Sequence, residues 1–181
     1  MDDGKILIMG VGGCGSGFIW GLLGACGLST GGIREWIRHS GIREAADPKL
    51  FDAPRVIKHL GGFLNNMNTH LDNYGWEVEH VFFCVASLDL QMDTYKARKG
   101  EGFDYDHYYA KYQNALGKGL MQLIKRDYLF TVIRCPRSIK DSEYCYDKVK
   151  VVLKDMSYKE FSEIHAARIL PKYLKRLDGY E

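Results

Sequence analysis

Between Gly10 and Gly17 the chain reads GVGGCGSG, five glycines in eight positions. That density strips side chains from a turn and lets backbone N–H groups close on a ligand. An apolar run, Ile6 to Met9, precedes it, and an apolar helical stretch from Phe18 to Cys26 follows. A strand, a glycine turn and a helix starting near Ser16 present free N–H groups and about half a positive charge to an anion. The turn holds no lysine or arginine, so the counter-charge must come from elsewhere in the chain. Lys58, next to last in the run RVIKH (Arg55–His59), is the first candidate, with His59 beside it as a general base near neutral pH. Successive strand residues face opposite ways, so the two converge only if the strand has ended there, which Gly61 and Gly62 would allow. Arg134 and Arg137 flank Pro136 just after the run YLFTVI, and Arg98 lies one helical turn beyond Thr94. Cys14 is either a thiol activated by the helix N-terminus or a small residue filling a serine position.

The elements that must carry these residues alternate. Strands are expected at Ile6–Met9, Arg55–His59, His80–Ala86 and Tyr128–Ile133. Helices are expected at Phe18–Cys26, with Gly27 as C-cap, at Ile33–Ala46, broken near Gly41, and at Phe63–Tyr74, Asp89–Arg98, Tyr108–Lys125, Ser142–Leu153 and Tyr158–Ala167. Ser29–Gly32 and Lys99–His107 read as loops, and the charged end as a solvated helix terminus. Strands joined by crossovers of this length imply a parallel sheet in a three-layer α/β/α fold, with ligands at the carboxyl ends of the strands.

With 181 residues the expectation is one domain, residues 1–181. Composition is that of a soluble globule, 46% hydrophobic and 27% charged, and a formal charge of +2 gives no argument for a nucleic-acid partner. No apolar run approaches a membrane span of about 18 residues, and no charged segment leads into an apolar one as in a signal peptide. Five cysteines without a CxxC pair suit reduced thiols in a cytoplasm rather than disulfides or zinc. His70, His80, His107 and His165 have no metal-ligand spacing, so no metal is expected. Phe103, Tyr105, Tyr108, Tyr109 and Tyr112 form either a stacking surface for an acceptor or a helix packing face.

Three anion-binding motifs compete for the turn. Gly10, Gly12 and Gly15 satisfy the dinucleotide pattern GxGxxG, but Glu35, at the distance of its ribose-binding acid, lies in GIREWIRHS, which does not read as a strand. Gly10 and Gly15 also fit the glycines of a Walker loop, GxxxxGK[ST]. Ser16 and Gly17 then replace its lysine and metal-binding hydroxyl, which argues against a nucleotide kinase or NTPase.

The third motif extends over most of the chain. ILIMGVGGCGSGFIWGLL resembles the phosphosulfate-binding strand, turn and helix of the P-loop sulfotransferase family, and PRVIKHL resembles that family's second strand. HVFFCVASLDLQMDTYKAR is similar to its 3′-phosphate strand and helix, and VIRCPRSIKDSEYCYDKV to a later segment of small bacterial and phage members, all in family order. The resemblance implies a P-loop fold and transfer of a sulfuryl group from 3′-phosphoadenosine 5′-phosphosulfate to a small or carbohydrate-like acceptor, without a metal. It implies donor contacts from Gly12, Gly13, Cys14, Gly15, Ser16, Gly17, Phe18, Ser87 and Thr94, with Lys58 and His59 catalytic. Gly13 and Ala86 stand at positions where the family carries cations, so Arg98, Arg134 and Arg137 are the expected substitutes. A nucleotide-binding or interaction protein without transferase activity is the alternative on the same fold.

Overall fold

A computed structural model describes residues 4–11, 13–32, 54–60, 76–169, 174 and 177–180, without the side chains of residues 31, 32, 59 and 60. Gly12 and the helices expected over 33–46 and 63–74 lie outside the described residues.

The strands are β1 (Lys5–Gly10), β2 (Thr30–Gly32), β3 (Val56–Leu60), β4 (Val78–Ala86) and β5 (Phe130–Cys135). They form one five-stranded sheet in the order β2-β3-β1-β4-β5, and every pairing is parallel. Ile6, Leu7, Ile8 and Met9 are all fully buried, as expected of a central parallel strand covered on both faces. The helices are α1 (Ser16–Ala25), α2 (Leu88–Lys99), α3 (Tyr105–Lys125), α4 (Arg137–Lys140), α5 (Ser142–Val149) and α6 (Tyr158–Arg168).

The period-2 alternation of the strands splits the core in two. Ile6, Ile8, Phe82, Cys84 and Ile133 pack with Ile19, Leu22 and Leu23 of α1, Cys145 of α5 and Phe161 of α6. Leu7, Met9, Ile57, Val81 and Phe83 pack with Met92 of α2 and Tyr112, Ala115 and Leu123 of α3. The architecture is therefore α/β with a helical layer on each face. The adjacent strands β1 and β4 send their following helices to opposite faces. That makes the gap between their carboxyl ends a topological switch point, where open α/β sheets open a crevice for ligands.

Helix ends follow the local chemistry. Asp104 caps α3 by accepting the His107 N–H at 3.0 Å, and Asp141 caps α5 through the Tyr144 N–H at 2.9 Å. Ser157 and Glu160 form a reciprocal capping box at α6. Gly27 follows the C-cap of α1 with φ 92°, as a terminating glycine does.

Several boundaries differ from the sequence reading. Ser29–Gly32 was expected as a loop, yet Thr30–Gly32 pairs with β3 as an edge strand, its propensity overridden by that neighbour. The expected loop over Lys99–His107 contains a 3₁₀ turn at Gly100–Gly102, and α3 begins at Tyr105, where the Asp104 cap starts it. The helix expected to run to Leu153 ends at Val149 and tightens into a 3₁₀ turn over Lys150–Val152. The C-terminal residues are not a purely solvated end. Leu177 is buried, the Tyr180 hydroxyl donates to Asp93, and Lys140 Nζ donates to the Tyr180 carbonyl at 2.7 Å. Among the described residues no helix is long and apolar enough to cross a membrane.

Candidate functional site

The β1–α1 corner lies at the switch point. Gly13 and Gly15 hold positive φ, 99° and 80°, which the turn needs in order to reverse from strand to helix within five residues. Gly13 also packs on α2, where a Cβ would lie 3.2 Å from Thr94 Oγ1. The N–H groups of Gly13, Gly15 and Gly17 find no backbone acceptor among the described residues, as at any open helix N-terminus.

Lys58 reaches this corner. It shares a face of β3 with Val56, which packs in the α1 cluster, and its ammonium lies 3.2 Å from where a Cβ on Gly17 would be. Gly17 therefore leaves room for the cation at the helix N-terminus. Two like-signed partners, the positive end of α1 and the ammonium, are held together without a carboxylate between them among the described residues. A negatively charged group placed there would balance the two.

Cys14 and Ser16 turn inward. Cys14 is 1% exposed, and burial raises its thiol pKa. The Ser16 N–H, the Ser16 hydroxyl and the Cys14 N–H point at its sulfur and, with the nearby Lys58 charge, pull that pKa partway back. A buried thiol with its pKa raised fits the small-residue reading of Cys14 better than an activated one. Phe18 also faces inward, edge-on to His165 at 5.3 Å, so its side chain belongs to packing with α6.

The neighbouring β4–α2 junction is built differently. Ala86 and Ser87 carry the turn, and the Tyr112 hydroxyl of α3 donates to the Ala86 carbonyl at 2.8 Å. Burial pushes the Tyr112 phenol up to about 12, so it remains a donor at neutral pH. A cleft of about 350 Å³ opens here, lined by Val85, Ala86, Ser87, Arg134, Cys135 and Arg137. Ser87 Oγ is shielded from solvent and, among the described residues, has no hydrogen-bond partner, and it does not cap α2. A buried hydroxyl left open beside two arginines fits an anionic group.

Tyr144 organises these arginines. Its hydroxyl accepts the Arg134 N–H at 3.0 Å, and its ring lies 4.4 Å beneath the Arg137 guanidinium. Asp141 holds Arg137 through Nε at 3.3 Å. The Tyr144 N–H, more than Arg137, holds the Asp141 carboxyl below its usual range. Asp141 and Tyr144 form the Asp-x-Glu-Tyr helix start of the segment VIRCPRSIKDSEYCYDKV, but the sequence reading gave neither a role, although the four-residue spacing from Arg137 to Asp141 was a usable signal.

The expected residues are thus gathered unequally. Gly13, Gly15, Gly17 and Lys58 meet at one corner, and Ser87, Arg134 and Arg137 meet at the cleft. Thr94 supports the corner by packing on Gly13. Arg98 is exposed on α2 and is not among the described residues lining the cleft. β3 pairing continues through His59 and Leu60, opposite Met9 and Gly10, so the condition for Lys58 and His59 to converge is not met. The side chain of His59 lies outside the described residues. The aromatic segment resolves mainly as packing: Phe103 stacks on Tyr108 at 5.6 Å, Tyr95 lies on Tyr108, and Tyr112 is buried. Among the described residues no cluster of histidine, cysteine or carboxylate side chains could hold a metal ion. No protein-family model, no curated protein and no solved structure matches this chain.

Proposed function

We propose that this chain is a sulfotransferase-type P-loop protein that binds 3′-phosphoadenosine 5′-phosphosulfate and transfers its sulfuryl group to a hydroxyl or amine of a small or carbohydrate-like acceptor. The observation that carries this reading is the Lys58 ammonium standing at the α1 N-terminus, in the space left by Gly17. The nucleotide, when bound, supplies an activated sulfuryl group on a phosphate leaving group. Lys58 and the open N–H groups of Gly13, Gly15 and Gly17 meet the negative charge that grows on the leaving phosphate. Ser87, Arg134 and Arg137 hold a second anionic group of the donor and take over the charge missing at Ala86. As the acceptor–sulfur bond forms, the bond from sulfur to the phosphate oxygen breaks, 3′,5′-adenosine bisphosphate leaves and the acceptor proton passes to water, since β3 continues past His59 and the pairing of His59 with Lys58 is not formed. Cys14, Cys26, Cys84, Cys135 and Cys145 are all free thiols, which fits a reducing cytoplasm.

One observation favours a second reading, donor binding without turnover. The Ser16 hydroxyl is turned toward the Cys14 sulfur rather than into the corner. Calorimetry with 3′,5′-adenosine bisphosphate tests both. Binding is expected for the wild type, and Lys58→Ala should weaken it about 10- to 100-fold, roughly 1.4 to 2.7 kcal/mol, with an unchanged melting temperature. Absence of heat with the wild type sinks both readings. Binding with no sulfate transferred to any member of a sugar and phenol panel selects the second.

A further inference from the structure

The arginine cleft is closed at its base by the sheet, where Ala86 pairs with Cys135. Beyond that pair the chain leaves the sheet on both sides, through Ser87 into α2 and through Pro136 into α4. Residues 177–180 reach both of those helices. The Tyr180 hydroxyl donates to the Asp93 carboxylate of α2, and Lys140 Nζ of α4 donates to the Tyr180 carbonyl at 2.7 Å. Leu177 is buried in the same packed cluster as Leu90 of α2 and Ile139 of α4.

The segment is shaped for this contact. The Tyr180 N–H donates to the Leu177 carbonyl at 3.2 Å, and Gly179 between them holds φ 88°, so the chain doubles back and delivers Tyr180 to the two helices. A Cβ on Gly179 would meet nothing beyond its chain neighbours within 4 Å among the described residues, so the backbone angle alone calls for glycine there. The attachment has a firm part and a loose part. Leu177 is an apolar anchor in the core, whereas Asp93 and Lys140 are exposed, and hydrogen bonds that water can replace open readily. Cys135 lines the cleft yet is only 4% exposed, so its thiol registers how far the walls part.

We propose that residues 177–180 are a latch that regulates access to the arginine cleft. With Tyr180 seated, α2 and α4 are held together and the inner groups of the cleft are covered. With Tyr180 released, Leu177 keeps the segment attached while the two helices part and the cleft opens to its ligand. The latch rests on the reading of the cleft as the seat of the donor's second anionic group only for the identity of what enters.

Labelling of the full chain with iodoacetamide at constant pH, with each cysteine followed by peptide mass mapping, tests the proposal. Cys135 reports the cleft, and Cys145, fully buried against α1 and α6, reports opening of the whole fold. Tyr180→Phe keeps the ring and deletes the bond to Asp93, and Gly179→Ala adds a methyl group in open space and strains the turn. Each should speed Cys135 labelling about 3- to 10-fold over wild type and leave Cys145 unchanged. Should the alanine variant fail to fold, the phenylalanine variant decides. Saturating 3′,5′-adenosine bisphosphate should slow Cys135 labelling in the wild type and in Tyr180→Phe. Labelling that follows Tyr180 while ignoring the nucleotide supports the latch and counts against the donor reading. Cys135 labelling indifferent to the folded variants, or rising in step with Cys145, overturns the latch.

Discussion

The β1–α1 corner and the β4–α2 junction stand side by side at the carboxyl edge of the sheet, and they reach an anion-ready geometry by opposite means. The first removes side chains: glycines shape the turn, and the cation arrives from β3 through Lys58. The second keeps ordinary residues, Ala86 and Ser87, and is held by a hydroxyl from α3, with its cations supplied by Arg134 of β5 and Arg137 just beyond it. In neither place does the turn carry its own charge. Each takes it from the next strand outward, which a parallel sheet allows because all its strands end on one side. The glycine corner should therefore be brittle toward any added atom, and the alanine–serine junction sensitive only to loss of a particular hydrogen bond.

Gly10→Ala is the most damaging test of that contrast. A Cβ there would lie 2.5 Å from the Cys84 carbonyl oxygen and would also overlap the Cys14 sulfur. The carbonyl belongs to β4 and cannot step aside without disturbing the β1–β4 ladder. A loss of about 2–3 kcal/mol in urea denaturation is expected. A neutral outcome would show that the corner can widen and that its glycines are not structurally required.

The two junctions share a floor of buried thiols, Cys14, Cys84 and Cys135. Burial raises Cys84 well above the ordinary thiol range, with the nearby thiols Cys14, Cys135 and Cys145 adding to the shift, and it raises Cys145 to about 12. In the unfolded chain these thiols ionise near pH 8.5. Above that pH the folded state retains protons that the unfolded state has lost, so stability is complete below it and falls as pH rises. Each such thiol should contribute a slope of about 1.4 kcal/mol per pH unit until its folded pKa is reached. Cys84→Ala should reduce the slope by one thiol's share whatever it does to the baseline. An unchanged slope would mean that the floor is wetter than its burial implies.

How much of this could be read from residues alone depended on how local the cause was. β1 and its glycine turn announce themselves, because an apolar run followed by dense glycine has few other uses. Lys58 does reach the glycine turn, as expected, but from within β3 rather than from its end: it shares a face with Val56, and its ammonium lies beside Gly17. β2 was missed because the two glycines of Thr30-Gly31-Gly32 are poor strand formers, and the segment pairs because β3 lies beside it. The pairing of Lys58 with His59 failed for a related reason: Gly61 and Gly62 suggested an earlier stop, while the ladder to β1 carries β3 on to Leu60. Arg98 satisfied helical spacing from Thr94, but spacing fixes a helix face and not the distance to a cleft. Tyr112 lies in the aromatic segment and Tyr144 in the segment VIRCPRSIKDSEYCYDKV, but their hydrogen-bond partners are 26 and 10 positions away in the chain, so no local pattern gives the contacts they make.

The smallest expected effect belongs to the second junction. Tyr112→Phe keeps the ring within the α2–α3 cluster and deletes only the hydroxyl that bonds the Ala86 carbonyl. That carbonyl lies at the end of β4 in a residue only 9% exposed, so water replaces the lost donor poorly. A destabilisation of about 1 kcal/mol is expected. Because the phenol is pushed up to about 12, the difference between wild type and variant should be constant from neutral pH to about pH 9. Nucleotide affinity should fall with it if the Ala86–Ser87 turn relaxes away from Arg134 and Arg137. Lost stability with unchanged affinity would show that the cleft arginines, organised by Tyr144, hold their geometry independently of the turn they face.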